Sequence, residues 1–246
     1  MIPYVVYTHT DYLDIVQIQT YYLKDQSSKV LLINKNTLEL DDLYNQYNRV
    51  IFYDDNLPYA SRLLALRELD AEYILFIHDM DAVIRQDLNV LNTLLDLAKA
   101  SNIDRIDLQQ DPTPEINPIT LRIKLKEDLT LIKQENPNNY NYNVNPSIWK
   151  LSTLLDVMNK FSSETYRSIE IGYIQFYMTQ FNVYKLFTEK YLNCGYFKCT
   201  PYFTFLHLTH CGKFLPKGSS NLEPFLREEY DSIHSRFLQD TKRGFN

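Results

Sequence analysis

The chain has 246 residues, 45% hydrophobic and 23% charged, enough apolar material to bury a core without disulfides or metals, which excludes a repeat array or a disordered chain. Its 25 Lys and Arg against 31 Asp and Glu give a formal net charge of -6, the opposite of the basic footprint that grips phosphate backbones, so no nucleic-acid partner is expected. No run approaches the ~18 apolar residues of a membrane span, and Met1-Ile2-Pro3 leads into a strand-like run with no basic leader, so a soluble, unprocessed, cytoplasmic chain is expected.

Ile2 to Tyr7 is apolar, β-branched and aromatic, a strand signal, and Thr8-His9-Thr10-Asp11 then offers an N-cap to a helix from Tyr12 to about Lys24. Lys29 to Ile33 repeats the strand signal, Thr37 to Tyr47 reads as a short helix, and Arg49 to Tyr53 is a third strand running into Asp54-Asp55. A helix follows from about Pro58 to Leu69, with Pro58 suited to its first turn, and Glu72 to Ile77 is the fourth strand. Four apolar strands separated by helical periods predict βαβ units, hence an α/β fold with a mostly parallel central sheet flanked by helices. Ligands of such sheets bind beyond the carboxyl ends of the strands, which directs attention to Thr8 to Asp11, to Asp54-Asp55 and to the residues after Ile77.

Farther on, Asp87 to Ala100 is an amphipathic helix. Asp104 to Gln109 and Ile119 to Ile132 alternate, predicting antiparallel strands or a hairpin at the sheet edge, and Asn136 to Asn145 reads as a loop. Leu151 to Phe161 and Ile169 to Phe181 look helical, Val183 to Phe187 and Tyr202 to Leu208 look like strands, and Glu223 to Leu238 is a charged amphipathic final helix. One domain is expected over 1-246, in three stretches: 1-101, 102-216 and a C-terminal helical extension (217-246).

The sharpest chemical feature is His78-Asp79-Met80-Asp81 at the end of the most hydrophobic strand. Two carboxylates two residues apart at a strand end can share one hard divalent cation, and Mg²⁺ or Mn²⁺ needs only one or two of them when water and substrate phosphates fill the other positions. Solvated loop acids are the plain alternative. An aspartyl phosphatase would carry such a pair after the first strand, where Thr8-His9-Thr10 stands instead. The five glycines all lie after the fourth strand, so no Gly-rich phosphate loop is available, and no Gly-x-Ser-x-Gly elbow exists. Cys194, Cys199 and Cys211 with His207 and His210 do not reproduce a common zinc spacing, and free thiols are expected.

The N-terminal βαβ half, Tyr59-Ala60-Ser61-Arg62-Leu63-Leu64 on a helix, and Glu72 to Asp81 together resemble the GT-A nucleotide-sugar glycosyltransferases. More narrowly, they are similar to glycosyltransferase domains of large DNA viruses and bacterial surface-polysaccharide clusters. Asn145-Pro146-Ser147-Ile148-Trp149-Lys150 with Glu170 downstream, and His210-Cys211-Gly212-Lys213-Phe214, resemble two further blocks of that family in the same order.

The resemblance implies a metal-dependent hexosyl- or deoxyhexosyltransferase with Mn²⁺ or Mg²⁺, a nucleoside diphosphate sugar as donor and a hydroxyl acceptor such as a glycan, located in the host cytoplasm if viral. Asp79 and Asp81 would hold the metal, Asp79 alternatively its waters or the donor ribose, with His210 preferred over His207 as a further ligand. Thr8, Asp11, Arg62 and Lys213 would lie along the donor; capping explains Asp11 and a helix ion pair with Glu68 or a neighbouring acid explains Arg62 equally well. Glu170 would be the base of an inverting transfer, Glu164 its rival, although a first-turn helix acid is the alternative for Glu170. Trp149, following Pro146 and opening a helix, is either an acceptor wall or, with the balance toward packing, core. Two other functions compete: a catalytically silent binding or assembly protein with this fold, and a metal-dependent nucleotidyltransferase.

Overall fold

A computed structural model describes residues 2–34, 40–110, 121–137, 140–194, 197–210, 213–214 and 222–238. The elements run β1 (Tyr4–Tyr7), a 3-10 turn (Thr10–Tyr12), α1 (Leu13–Tyr22), β2 (Lys29–Ile33), α2 (Asp41–Tyr44), β3 (Arg49–Phe52), α3 (Tyr59–Leu63) with a 3-10 turn after it, and β4 (Tyr73–His78). Next come β5 (Asp81–Gln86), α4 (Leu88–Ala100), β6 (Arg105–Asp107), β7 (Arg122–Lys126), β8 (Leu129–Lys133), β9 (Ser147–Lys150), α5 (Leu151–Lys160), α6 (Tyr173–Met178) and β10 (Val183–Phe187). The chain finishes with β11 (Leu192–Asn193), β12 (Lys198–Cys199), β13 (Phe203–His207), β14 (Thr209–His210), β15 (Lys213–Phe214) and α7 (Pro224–Phe237).

Nine strands make one mixed sheet in the order β3-β2-β1-β4-β9-β6-β10-β8-β7. The first four are mutually parallel; β1, β2 and β4, buried throughout, carry the apolar runs of strands covered on both faces, whereas β3 at the edge leaves Arg49 and Phe52 exposed. Side-chain alternation then sorts each strand between two cores. Val6, Leu31, Leu75 and Ile77 pack with α1, α4 and α7, whereas Val5, Leu32, Ile51 and Phe76 pack with α3, α5 and α6. The final helix covers its own sheet face: Leu226, Tyr230 and Ile233 are buried, Glu229 accepts a hydrogen bond from Tyr22, and Arg236 donates to Tyr21 Oη at 2.7 Å. No helix among the described residues is long and apolar enough to cross a membrane.

Several expectations need correction. Trp149 does not open a helix: it lies in β9, antiparallel to both β4 and β6, and is 1% exposed, so it is core and not a wall. Segment 104–109 is not a half-exposed edge, because β6 sits inside the sheet, antiparallel to β9 and parallel to β10. The hairpin at the edge is β7–β8 alone. The stretch Ile169 to Phe181 is helical only over α6, with turns before it. Part of the Thr37 to Tyr47 expectation lies outside the described residues.

β6 misleads because its polar residues pair with one another inside the protein. Arg105 donates to Asn141 O at 2.6 Å and to Ser147 Oγ at 2.8 Å, Asn143 Nδ2 donates to Asp107 Oδ2 at 2.7 Å, and Arg105 and Lys185 each approach Asp107 Oδ2 at 3.7 Å. The Arg105 guanidinium also lies 5.0 Å from the centre of the Trp149 ring. Removing one partner of such a network strands the other charges in a low dielectric. Arg105→Ala is therefore expected to lose about 3–5 kcal/mol in urea unfolding.

Candidate active site

In a doubly wound sheet the ligand crevice opens where strand order reverses, here between β1 and β4, since β2 and β3 extend to one side of β1 and β4 lies on the other. The register sets Tyr7 beside His78, so the residues following both strands meet. Thr8 Oγ1 donates to Asp79 Oδ2 at 2.6 Å, Asp79 N–H donates to Tyr7 O at 3.1 Å, and Tyr53 Oη donates to Thr8 O at 2.8 Å. Beneath them, Tyr7 stacks on Tyr53 at 5.4 Å and packs edge-on to Tyr59 at 5.3 Å. His78 shares a 2.8 Å hydrogen bond with Tyr59 Oη, and burial pushes its pKa down to about 3, so it is a neutral packing group.

Two residues later the chain has turned into β5. Its antiparallel pairing with β13 sets Asp81 opposite His207, and His207 Nδ1 lies 2.9 Å from Asp81 Oδ1. Gln19 clamps the start of β5, donating to Asp81 O at 2.8 Å and accepting from Val83 N–H at 3.1 Å. Asp79 is 6% and Asp81 2% exposed. Two neighbouring carboxylates held that deep need compensation. Their side-chain partners include a hydroxyl and an imidazole, and a divalent cation completed by water and phosphate oxygens fits this donor set. Among the described residues no group of three or more His, Cys, Asp or Glu is arranged to hold a metal by protein ligands alone.

The opposite lip is the turn 165–171. Tyr166 Oη donates to Met80 Sδ at 3.7 Å, which places the phenol over the residue between the two aspartates. Burial, and then the charges of Glu170, Asp81 and Asp79, push its pKa upward. Four residues on, Glu170 Oε1 accepts Val144 N–H at 2.8 Å. Burial raises the Glu170 pKa from its ordinary value, the Val144 N–H and Arg105 oppose the shift, and Asp81 adds to it. Glu170 precedes α6 and its N-cap Gly172, so it is not a first-turn helix acid. Glu164 is held through its backbone, its carbonyl accepting Ala60 N–H at 3.3 Å.

The other expected donor-side residues form a rim. His9, not Asp11, caps the first turn, accepting Asp11 N–H on Nδ1 at 3.0 Å, while the Asp11 carboxylate stands exposed. His9 Nε2 lies 2.9 Å from Asp55 Oδ2 and 2.9 Å from Asn34 Nδ2, joining the loops after β1, β2 and β3. The His9 hydrogen bond first, and the nearby Arg62 charge after it, hold the Asp55 pKa below its ordinary value. Arg62 pairs with Asp55 at 3.2 Å, donates to the Leu57 and Asp55 carbonyls at 2.8 and 2.7 Å, and lies 5.3 Å over the Tyr53 ring. Glu68 pairs instead with Arg49 at 3.5 Å.

Lys213 is exposed on β15, paired in register with His210 of β14. The His210 side chain, Cys211 and Gly212 lie outside the described residues, and His207 is the histidine seen at Asp81. Cys194 and Cys199 are buried free thiols. Tyr166, the Gln19 clamp and the His9–Asp55–Asn34 junction were given no role from sequence, because each depends on contacts across 21 or more residues.

No family model and no curated protein matches the chain. Among solved structures it is similar to an apo UDP-glucose pyrophosphorylase (11% identity, 75% of this chain and 90% of the other, TM-score 0.46). It is also similar to a cytidylyltransferase from Leptospira borgpetersenii serovar Hardjo-bovis (11% identity, 77% and 76%, TM-score 0.48). With S. aureus TarS 1-349 it shares 14% identity over 77% of this chain and 58% of the other, at a TM-score of 0.43. The likeness is one of chain path, and any assignment of chemistry has to come from the side chains around the β1/β4 crevice.

Proposed function

We propose that the protein is a GT-A-like glycosyltransferase that moves a sugar from a nucleoside diphosphate sugar to a hydroxyl acceptor with inversion. The observation that supports it is that Asp79 and Asp81 follow β4 at the strand-order switch point, and that Tyr166, whose hydroxyl reaches Met80 Sδ, feels the charges of Asp79, Asp81 and Glu170 together.

Asp79 and Asp81 would hold Mn²⁺ or Mg²⁺, with His207 orienting Asp81, and with His210 a further candidate ligand. When bound, that cation would neutralise the charge developing on the departing diphosphate. The nucleoside would lie along the rim of Thr8, Asp11 and Arg62, and Lys213 would add a positive charge near the diphosphate. Glu170 would take the proton of the attacking acceptor hydroxyl. Its Oε1 is fixed by Val144 N–H, which leaves Oε2 for that task, and a raised pKa brings a carboxylate closer to the pH at which a base works best. Asp81 and Glu170 would thus divide the chemistry between leaving group and acceptor. Residues 1-101 would form the donor half and 102-216 the acceptor half.

The test is to incubate the protein with Mn²⁺ and a panel of nucleotide sugars and follow release of nucleoside diphosphate, with and without saccharide acceptors. Release that depends on metal and is stimulated by an acceptor is expected. Binding of nucleotide sugars without any release would favour a silent binding protein. Incorporation of labelled pyrophosphate into a nucleoside triphosphate would favour a nucleotidyltransferase.

A further inference from the structure

The most exposed large apolar side chains among the described residues are three near neighbours: Tyr173 at 68%, Ile171 at 64% and Phe176 at 60%. They directly follow Glu170. Tyr173 and Phe176, three apart on α6, share one helical face, while Ile174 and Met178 on the other side are buried. The helix is fastened in place. Gln175, itself buried, accepts Tyr142 N–H at 3.0 Å and donates to Tyr142 O at 2.8 Å and Glu170 O at 2.7 Å. That clamp fixes α6, the Glu170 backbone and the loop from Tyr140 as one unit, and Tyr140 is again exposed, at 48%. Leaving Tyr173 and Phe176 side by side in water on one helical face is unfavourable, and an apolar face of this kind marks a binding surface.

We infer that Ile171, Tyr173 and Phe176, with Tyr140 on the clamped loop, form a docking shelf for an uncharged oligosaccharide acceptor whose reacting hydroxyl reaches Glu170. The inference rests on the proposed transfer and specifies its acceptor. Two features favour this occupant. First, an acceptor hydroxyl at Glu170 obliges the rest of its molecule to leave across the adjoining surface, and the next residue along the chain is the start of the shelf. Second, α6 (YIQFYM) carries no charge. A surface for anionic bilayers needs clustered Lys and Arg, whereas flat, uncharged aromatic rings match the C–H faces of neutral pyranoses and lose little side-chain freedom on binding them.

The test uses the full chain and the double variant Tyr173→Ala/Phe176→Ala, with the single variant Phe176→Ser as a second probe should the double variant lose its circular-dichroism signature. Binding of neutral gluco-, manno- and galacto-oligosaccharides of two to six units is measured by calorimetry in the presence of Mn²⁺ and a nucleoside diphosphate. At least one series is expected to bind the unaltered protein more tightly as it lengthens, and to bind the variant about tenfold more weakly, while Mn²⁺-dependent diphosphate binding stays unchanged. Equal binding by protein and variant, or no binding of any series, overturns the shelf. So does variant-sensitive association with phosphatidylcholine/phosphatidylglycerol vesicles or with a second copy of the chain, because either assigns the face to another occupant. If the unaltered protein binds no diphosphate and releases none from nucleotide sugars, the transferase reading itself fails, a result separable from loss of the shelf alone.

Discussion

Asp81→Ala is expected to abolish Mn²⁺-dependent binding of nucleoside diphosphates, and to lower any transferase rate by about 10²–10³-fold or more, the scale of removing one preorganised electrostatic contact to developing charge. Calorimetric titration with and without Mn²⁺ reads the first effect directly. Asp81→Asn separates charge from shape, since an amide oxygen can still face His207 Nδ1 across the observed 2.9 Å while carrying no charge to hold the cation. His207→Ala keeps the charge and releases its orientation, so it should weaken binding less than Asp81→Asn does. Diphosphate binding that ignores both the metal and Asp81 would remove the basis for placing the leaving group here.

Glu170→Gln is expected to cost about 10²–10⁴-fold in turnover, the usual contribution of a positioned acid or base, while leaving diphosphate binding intact. It should also raise Tm at neutral pH. Folding raises the Glu170 pKa, which means the folded state prefers the protonated form. The associated stability is therefore fully present below the unfolded carboxyl pKa of about 4.3 and is lost as pH rises through the higher folded value. Glutamine carries no ionisation, and its amide oxygen can still accept Val144 N–H. The Tm gap between variant and unaltered protein should accordingly open on going from pH 4 to pH 8. A variant less stable than the unaltered protein at pH 8 would contradict this account of the site's electrostatics. Activity of the unaltered protein should rise with pH through the same ionisation.

The parallel half of the sheet was legible because β1, β2 and β4 are buried on both faces, and burial of that kind writes itself as unbroken apolar runs, while the edge strand β3 still shows a short β-branched and aromatic run. Placing Asp79 and Asp81 beyond the fourth strand needed nothing more. What stayed hidden was organised by distant pairing. Ser147 to Lys150 forms β9 and passes into α5 without a turn residue, so Trp149 reads locally as part of the helix. Asp81 reads as the end of a turn, yet it begins β5, because its partner strand lies more than 120 residues away. Arg105 and Asp107 look like the solvent side of an alternating strand, and become interior only through Asn143, Ser147 and Lys185. The acidic pair was thus visible in the local pattern, and His207 only as the alternative to His210, whereas Gln19 and Tyr166 were not.

The β5–β13 ribbon bears on how the protein comes into being. Asp81 leaves the ribosome 126 positions ahead of the histidine that orients it, and closing so large a loop is slow compared with forming the adjacent βαβ units. A nascent chain halted before Phe203 could build the parallel strands and still lack a finished crevice. On the proposed reading, a nucleotide should neither template nor rescue folding before β13 is made, and competence to bind it should emerge only with the arrival of that strand.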